Sequence, residues 1–311
     1  MRVLVTGMGG FVGPWLEQAL VAHAHSVEGL IRPEDTAPPG VHCHVADVTR
    51  RGEVEAVLAS ARPDAIIHLA AISFVPEAEE EPEIAYRINV GGTVSLLAAV
   101  RAVAKSARVL VVGSSDAYGA VLRSELPIDE DVPFRPLSVY GASKGAADVA
   151  AGQWARGYGL DVVRARPFNH TGPGQRATFV CAALARQMAR IERGEQEAVV
   201  SVGNADPVRD FSDVRDIVEG YVALLERGKA GEAYNLCAGE GVSIAEVIAV
   251  LRTHATVPLR AWSDPAKRRP VEVERIVGSH ARATADTGWA PRIPLTDTLR
   301  DVLDDWRRRR D

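Results

Sequence analysis

The sequence predicts an α/β fold, a doubly wound parallel sheet with helices on both faces. Three observations carry this expectation. A short apolar run, Val3-Leu4-Val5, ends in a glycine-rich turn and is followed by a helical pattern at 15–24. Strand-length runs at 26–31, 42–45, 65–69, 109–113 and 162–166 then alternate with helical patterns at 51–60, 84–103, 140–158 and 179–190. Strands joined through helices pair in parallel, because only a crossover returns the chain to the same end of the sheet. Finally, 311 residues at 47% hydrophobic content are enough for a large core and a second lobe.

The first element pair carries chemistry. Gly7, Gly10 and Gly13 follow a strand and open a helix, with Phe11 and Val12 between the last two. Gly7 permits the tight turn, Gly10 lets backbone approach a pyrophosphate, and Gly13 lets the helix pack on the sheet. The helix N-terminus then faces the phosphates. This is the dinucleotide-binding cradle of a Rossmann-type sheet. An NAD(H) site places a carboxylate at the end of the second strand; here Ile31 holds that place and Arg32 follows. A guanidinium suits a 2′-phosphate, which favours NADP(H) and leaves NAD(H) possible, with Arg32 then stacking on adenine. Asp47 and Val48 are expected to meet the adenine.

A second constellation lies downstream. Tyr140 and Lys144 are four apart and share a helix face. Ser114 ends a strand at the carboxyl edge, where a parallel sheet holds its ligands. A phenol that exchanges a proton, an ammonium that lowers the phenol pKa and holds a ribose, and a hydroxyl that polarises the same oxygen form an acid–base relay. Its expected catalytic members are Ser114, Tyr140, Lys144 and Asp116.

After about residue 170 the pattern changes. Gly172-Pro173-Gly174 breaks the chain, and prolines at 207, 258, 265, 270, 291 and 294 punctuate the remainder. The expected division is a dinucleotide-binding domain over 1–170 plus about 195–225, and a smaller α/β substrate lobe over about 170–195 and 225–311. Residues 210–225 are expected to cross back onto the first domain.

Composition narrows the class. A net charge of −5 with no basic patch argues against nucleic acid and against membrane adsorption. The run Arg307 to Arg310 ends a helix, where it complements the dipole. Three widely spaced cysteines make neither a disulfide framework nor a metal site. A strand directly after Met1 leaves no room for a signal peptide, and no stretch is long and apolar enough to span a bilayer. A cytoplasmic location and no metal are expected.

These residues resemble the extended short-chain dehydrogenase/reductase family, in its nucleotide-sugar epimerase/dehydratase branch. The matching segments are TGMGGFVG at 6–13, ADV at 46–48, HLAA at 68–71, NVGGT at 89–93, GSSDAYG at 113–119, YGASK at 140–144, RPFNHTGPGQ at 166–175 and RDFSDVRD at 209–216. The resemblance implies that Leu69, Ala70 and Ala71 run along the cofactor and that Asn89 helps fix the nicotinamide side. Pro167 is also expected on the cofactor. Tyr140 and Lys144 match the catalytic pair. On the substrate side it implies Asn169, Arg209 and Arg269 near a nucleotide diphosphate and Glu272 on a ribose, with Ser115 and Asp116 near the sugar. Guanidiniums suit a diphosphate and a carboxylate suits a diol. The partner is thus a nucleotide-diphosphate sugar, and a homodimer through helices near 84–103 and 142–158 is expected.

Members of this branch act at C4 of the sugar and then diverge. A 4,6-dehydratase needs a further carboxylate that reaches C5 and C6; here Asp116 stands where dehydratases carry Glu, one methylene short. RPFNHTGPGQ and the stretches 187–194 and 269–306 look most like GDP-4-keto-6-deoxy-D-mannose reductases, which give GDP-D-rhamnose. A 4-epimerase with tightly held NAD, on a heptose for example, a 4,6-dehydratase, and a non-catalytic NADP-binding sensor stay open as alternatives.

Overall fold

A computed structural model describes residues 1–267 and 273–309. In chain order its first half comprises β1 (Arg2–Thr6), α1 (Val12–Ala22), β2 (Ser26–Ile31), β3 (His42–Val45), α2 (Arg51–Ala61), β4 (Ala65–His68), α3 (Val75–Glu80), α4 (Pro82–Tyr86), α5 (Thr93–Val103), β5 (Arg108–Val112), α6 (Val139–Tyr158) and β6 (Val162–Pro167). The second half adds β7 (Asn169–Thr171), α7 (Val180–Glu192), β8 (Val199–Val202), β9 (Val208–Asp213), α8 (Val214–Arg227), β10 (Ala233–Leu236), β11 (Gly241–Ser243), α9 (Ile244–His254), β12 (Arg260–Ser263), β13 (Arg275–Ile276), α10 (Ala281–Thr287) and α11 (Leu295–Arg308).

Seven strands form the main sheet in the order β10-β6-β5-β4-β1-β2-β3, all parallel. The strand order reverses between β1 and β4, which opens a crevice at their carboxyl ends. Alternation along β1 shows how the two faces are divided. Val3 and Val5 join a core with Leu16, Leu20, Ile217 and Tyr221 of α1 and α8. Leu4 joins the opposite core with Val54, Leu58, Leu96 and Val100 of α2 and α5. A strand buried on both faces must be apolar throughout, as Val3-Leu4-Val5 is.

A second core forms from α7, α9 and α11 around Val200, Val202 and Phe211. The division differs from the expected one in several places: β9 pairs with β7, β11 and β13 in a separate sheet, and Ala283 and Trp289, around α10, pack in the main-sheet core. Residues 233–236, expected in the second lobe, are the last strand of the main sheet, because all four are buried and pair with β6. Strand β8, expected with the first domain, pairs with β12 and packs into the second core. The helix expected over 84–103 is also interrupted: Arg87–Gly92 is a π-helical turn between α4 and α5.

One buried ionic cluster fastens α6 to the sheet. Asp148, 2% exposed, accepts hydrogen bonds from Arg164 Nη1 at 2.7 Å and from Arg166 Nε and Nη2 at 2.9 Å each. Arg166 Nη1 continues to the Tyr118 hydroxyl and the Glu130 carbonyl, both at 2.9 Å. Tyr118 donates to Asn235 Oδ1 at 2.7 Å, which ties in β10. Removing one member of a buried ion cluster leaves uncompensated charge. Asp148→Ala is therefore expected to lose about 3–5 kcal/mol of stability in urea unfolding. A loss under about 1 kcal/mol, the scale of an exposed pair, would contradict the role given to this cluster.

Candidate active site

A cleft of about 1790 Å³ runs along the carboxyl edge of the main sheet and under the second core. A single small ligand occupies roughly 300–1,000 Å³, so the volume suits two ligands side by side. Along the sheet, Arg32 and Asp47 follow β2 and β3, Gly7 follows β1, Leu69 follows β4, Ser114 follows β5, and Pro167 closes β6. Asn169 and Arg209 line the cleft from β7 and β9.

The glycines allow close backbone approach in the turn after β1. Gly7 has φ +73°, and a Cβ there would sit 2.7 Å from the Ala70 nitrogen. The turn closes through Gly10 N–H to the Gly7 carbonyl at 3.0 Å. Gly7, Gly10, Phe11 and Val12 line the cleft, and α1 begins at Val12. Gly13 does not line it. A Cβ at Gly13 would lie 1.9 Å from the Met8 carbonyl oxygen, so its role is helix-to-turn packing. Bare backbone at the start of a helix fits a pyrophosphate, so the cradle fits a dinucleotide.

Arg32 lines the cleft with its guanidinium already engaged. It donates to Asp35 at 2.9 and 3.2 Å and pairs with Glu34 at 3.1 Å. The hydrogen bond to Asp35 leads the causes that raise its pKa. Asp47 accepts from the Thr49 N–H and hydroxyl, each at 2.8 Å, which fixes the turn after β3. Val48 packs beneath, with Cγ2 2.9 Å from where a Cβ on Gly92 would stand.

The relay residues converge. Ser138 caps α6 by accepting from the Gly141 N–H at 3.0 Å, which places Tyr140 in the first turn. A Cβ on Gly141 would stand 2.5 Å from the Asp116 carbonyl oxygen. This close approach brings the start of α6 onto the Ser115–Ala117 turn and sets Tyr140 beside Ser114, with which it shares a hydrogen bond. Ser114 Oγ also accepts from the Asp116 N–H at 3.2 Å. Burial raises the Tyr140 pKa and the nearby Asp116 carboxylate adds to it, while the Ser114 hydrogen bond works against both.

The Lys144 ammonium, one turn along α6, donates to the Val112 carbonyl at 2.5 Å. Burial lowers Lys144 itself to about 8, with Asp148 one turn away opposing the shift. Leu69, Ala70, Ala71, Ser115 and Asp116 all line the cleft.

Asn89 does not itself line the cleft but holds Ile72, which does. It sits in the π-helical turn and accepts from the Ile72 N–H at 2.8 Å while donating to the Ile72 carbonyl at 3.1 Å and to Ser143 Oγ at 2.9 Å. Its amide therefore positions the loop after β4. Arg269 and Glu272 lie outside the described residues.

Sequence reasoning missed several participants. Phe74 and Phe179 meet edge to face at 5.9 Å, and both line the cleft with His170, Lys267 and Tyr221. His68, inside the HLAA segment, was not singled out. Its Nδ1 accepts from the Thr6 hydroxyl at 2.7 Å, and Thr6 Oγ1 accepts from the Ala70 N–H at 3.2 Å. Its Nε2–H meets Thr93 Oγ1 at 3.2 Å, and Thr93 donates to the Asn89 carbonyl at 2.7 Å. Donor counting thus fixes a neutral imidazole that links β1, the loop after β4 and the π-helical turn. A polar residue at the end of a buried strand was the available signal.

Burial, with Lys144 adding to it, depresses His68 from 6.5 to about 3. Between those values the unfolded chain binds the proton and the folded one does not, so stability falls as pH drops from 6.5 toward 3. At pH about 4.5 the wild type should have lost about 2–3 kcal/mol more than His68→Asn, relative to pH about 7. Urea midpoints at the two pH values check this; equal losses would contradict a neutral buried imidazole.

The chain is similar to known proteins over nearly its whole length. Residues 4–302 match the GDP-mannose 4,6 dehydratase family. The chain is 41% identical over 308 residues to a GDP-6-deoxy-D-mannose reductase of Pseudomonas aeruginosa, covering 99% of this chain and 98% of that protein. The structure of RMD from Pseudomonas aeruginosa complexed with NADPH superposes with a TM-score of 0.88 at 40% identity, covering 98% of this chain and 97% of that one. A Thermus thermophilus UDP-glucose 4-epimerase complexed with NAD also superposes with a TM-score of 0.88, at 29% identity over 99% of both chains. The chain belongs to the GDP-mannose 4,6 dehydratase family, within the extended short-chain dehydrogenases/reductases.

Proposed function

We propose that this protein is a nucleotide-sugar 4-ketoreductase that converts GDP-4-keto-6-deoxy-mannose to GDP-D-rhamnose with NADPH. The observation that carries this reading is the Ser114–Tyr140 pair, with its phenol held protonated, in a cleft sized for two ligands. A phenol that keeps its proton is suited to donate it to a ketone oxygen that becomes a hydroxyl. The near full-length likeness to a GDP-6-deoxy-D-mannose reductase supports the same substrate.

NADPH, when bound, supplies the hydride for C4. Tyr140 gives its proton to the C4 oxygen, and the Ser114 hydroxyl holds that oxygen in line. Lys144 holds the ribose and recharges the phenol. Gly7, Gly10, Phe11, Val12 and Leu69 to Ala71 cradle the cofactor, Asp47 and Val48 face its adenine, and Pro167 closes the far side. Arg32 turns from Glu34 and Asp35 to a 2′-phosphate. Asn169, Arg209 and Arg269 receive the substrate diphosphate, and Glu272 its ribose diol. Ser115 and Asp116 face the sugar; Asp116 bonds a hydroxyl rather than abstracting at C5.

Among the described residues no helix is long and apolar enough to cross a membrane. The reading places the enzyme in a reducing cytoplasm, in keeping with free Cys43, Cys181 and Cys237. It is a homodimer through α5 and α6. The support is a shallow apolar groove along α6, formed by Ala142, Gly145, Ala146, Val149 and Ala150. Val149 and Val103 are 59% and 48% exposed.

The reading is tested with GDP-4-keto-6-deoxy-mannose and NADPH, following nicotinamide absorbance. One NADPH should disappear per product, with GDP-mannose alone inert. Conversion of a non-keto sugar without added reductant would show an epimerase or a dehydratase instead. Tyr140→Phe should lower kcat at least about a hundredfold with little change in stability; near-normal kcat would refute the relay. Arg32→Ala should weaken NADPH about ten- to a hundredfold and leave NADH nearly unchanged. Equal affinity of the wild type for both cofactors would refute the NADP(H) preference. Val149→Glu should yield monomers in light scattering; an unchanged dimer would move the interface elsewhere.

A further inference from the structure

We propose that the edge of the main sheet carries a divalent transition-metal site, of the zinc class, formed by Glu28, His42 and His44. Among the described residues β3 is the edge strand of the main sheet and pairs with β2. Residues two apart on a strand project from the same face, so His42 and His44 stand side by side. Register places Glu28 directly opposite His42 and two residues before Leu30, the partner of His44, so all three side chains share one face. The two imidazoles meet edge to face with centroids 4.9 Å apart. His44 Nε2 lies 2.6 Å from Glu28 Oε2. One ligand atom from each residue falls within 4.8 Å of the other two.

A tetrahedral zinc ion with bonds of about 2.1 Å needs its ligand atoms about 3.4 Å apart. The closure from 4.8 Å needs only side-chain rotation, because the exposed His42 is free to turn. Two imidazoles and one carboxylate, with a fourth position open to water, suit Zn²⁺, Co²⁺ or Ni²⁺ rather than Mg²⁺ or Ca²⁺. The intervening Cys43 projects from the opposite face, where its Sγ lies 2.5 Å from a Cβ placed on Gly29. The thiol is therefore not a ligand, which leaves a nitrogen–oxygen site.

The consequence is mechanical. A metal bridging β2 and β3 staples a four-residue edge strand to its neighbour. The same two strands end at Ile31 and Val45, just before Arg32 and Asp47 of the cleft. A ligand that binds only the folded chain stabilises it by mass action.

The full-length protein, stripped with chelator, is titrated with Zn²⁺ by calorimetry and with Co²⁺ by visible absorption, and its Tm is read with and without Zn²⁺. One metal per chain and a higher Tm are expected. His42→Ala, His44→Ala and Glu28→Gln should each weaken binding at least about tenfold and abolish the Tm shift. Each should keep its far-UV circular dichroism and basal turnover. His23→Ala is the control, because His23 and His25 form a separate cluster with Glu219 and Glu226. Absence of saturable binding in the wild type would overturn the proposal. Binding lost in His23→Ala but kept in the β3 variants would overturn it as well.

Discussion

The rest of the site depends on the buried attachment of α6 to the sheet. That helix carries Tyr140 in its first turn, Lys144 in its second and Asp148 in its third. Asp148 is clasped by Arg164 and Arg166 of β6, and Arg166 carries the cluster on to Tyr118 and Glu130. The residues that grip the helix thus lie one turn from those that face the cleft. The same carboxylate opposes the lowering of the Lys144 pKa by burial, so the anchor also helps keep the ammonium charged. A buried ion cluster is weak evidence for net stability. Its use here is geometric: helix, strand and the loop at 118–135 hold one fixed arrangement.

The other end of α6 placement is steric. Gly141 lets the helix touch the Asp116 carbonyl, much as Gly13 lets α1 touch the Met8 carbonyl. Each glycine removes a Cβ where two elements must approach closely, one for the relay and one for the cradle. Between them, the chain from Thr6 through His68 and Thr93 to Asn89 joins the floor of the cleft by hydrogen bonds that never touch solvent. Asn89 then fixes the Ile72 backbone from within the π-helical turn, as such turns often do at functional sites.

Much of this was legible in the sequence. The first-half strands come within a residue or so of their expected bounds; for β1, β4 and β5 the reason is an apolar run buried on both faces. Gly7, Tyr140 and Lys144 were legible because cradle and relay depend on local spacing. Strand β10 was not: Ala233–Leu236 includes Tyr234 and Asn235, whose burial depends on Asp286, Tyr118 and Glu130 far along the chain. The partners of Arg32 and the inward turn of Asn89 were hidden for a related reason. Spacing tells which face a side chain leaves, not which carboxylate or carbonyl waits there. The interrupted helix at 87–92 has no signature that periodicity can detect.

The central claim is that hydride reaches C4 of a bound sugar ketone while Tyr140 delivers the proton. The most direct measurement is NMR of the product formed from NADPH deuterated at the transferring position. The account predicts one deuterium, bonded to C4 of GDP-D-rhamnose, in a single configuration. Deuterium retained on the cofactor, or found at C5 or C6 of the sugar, would contradict it.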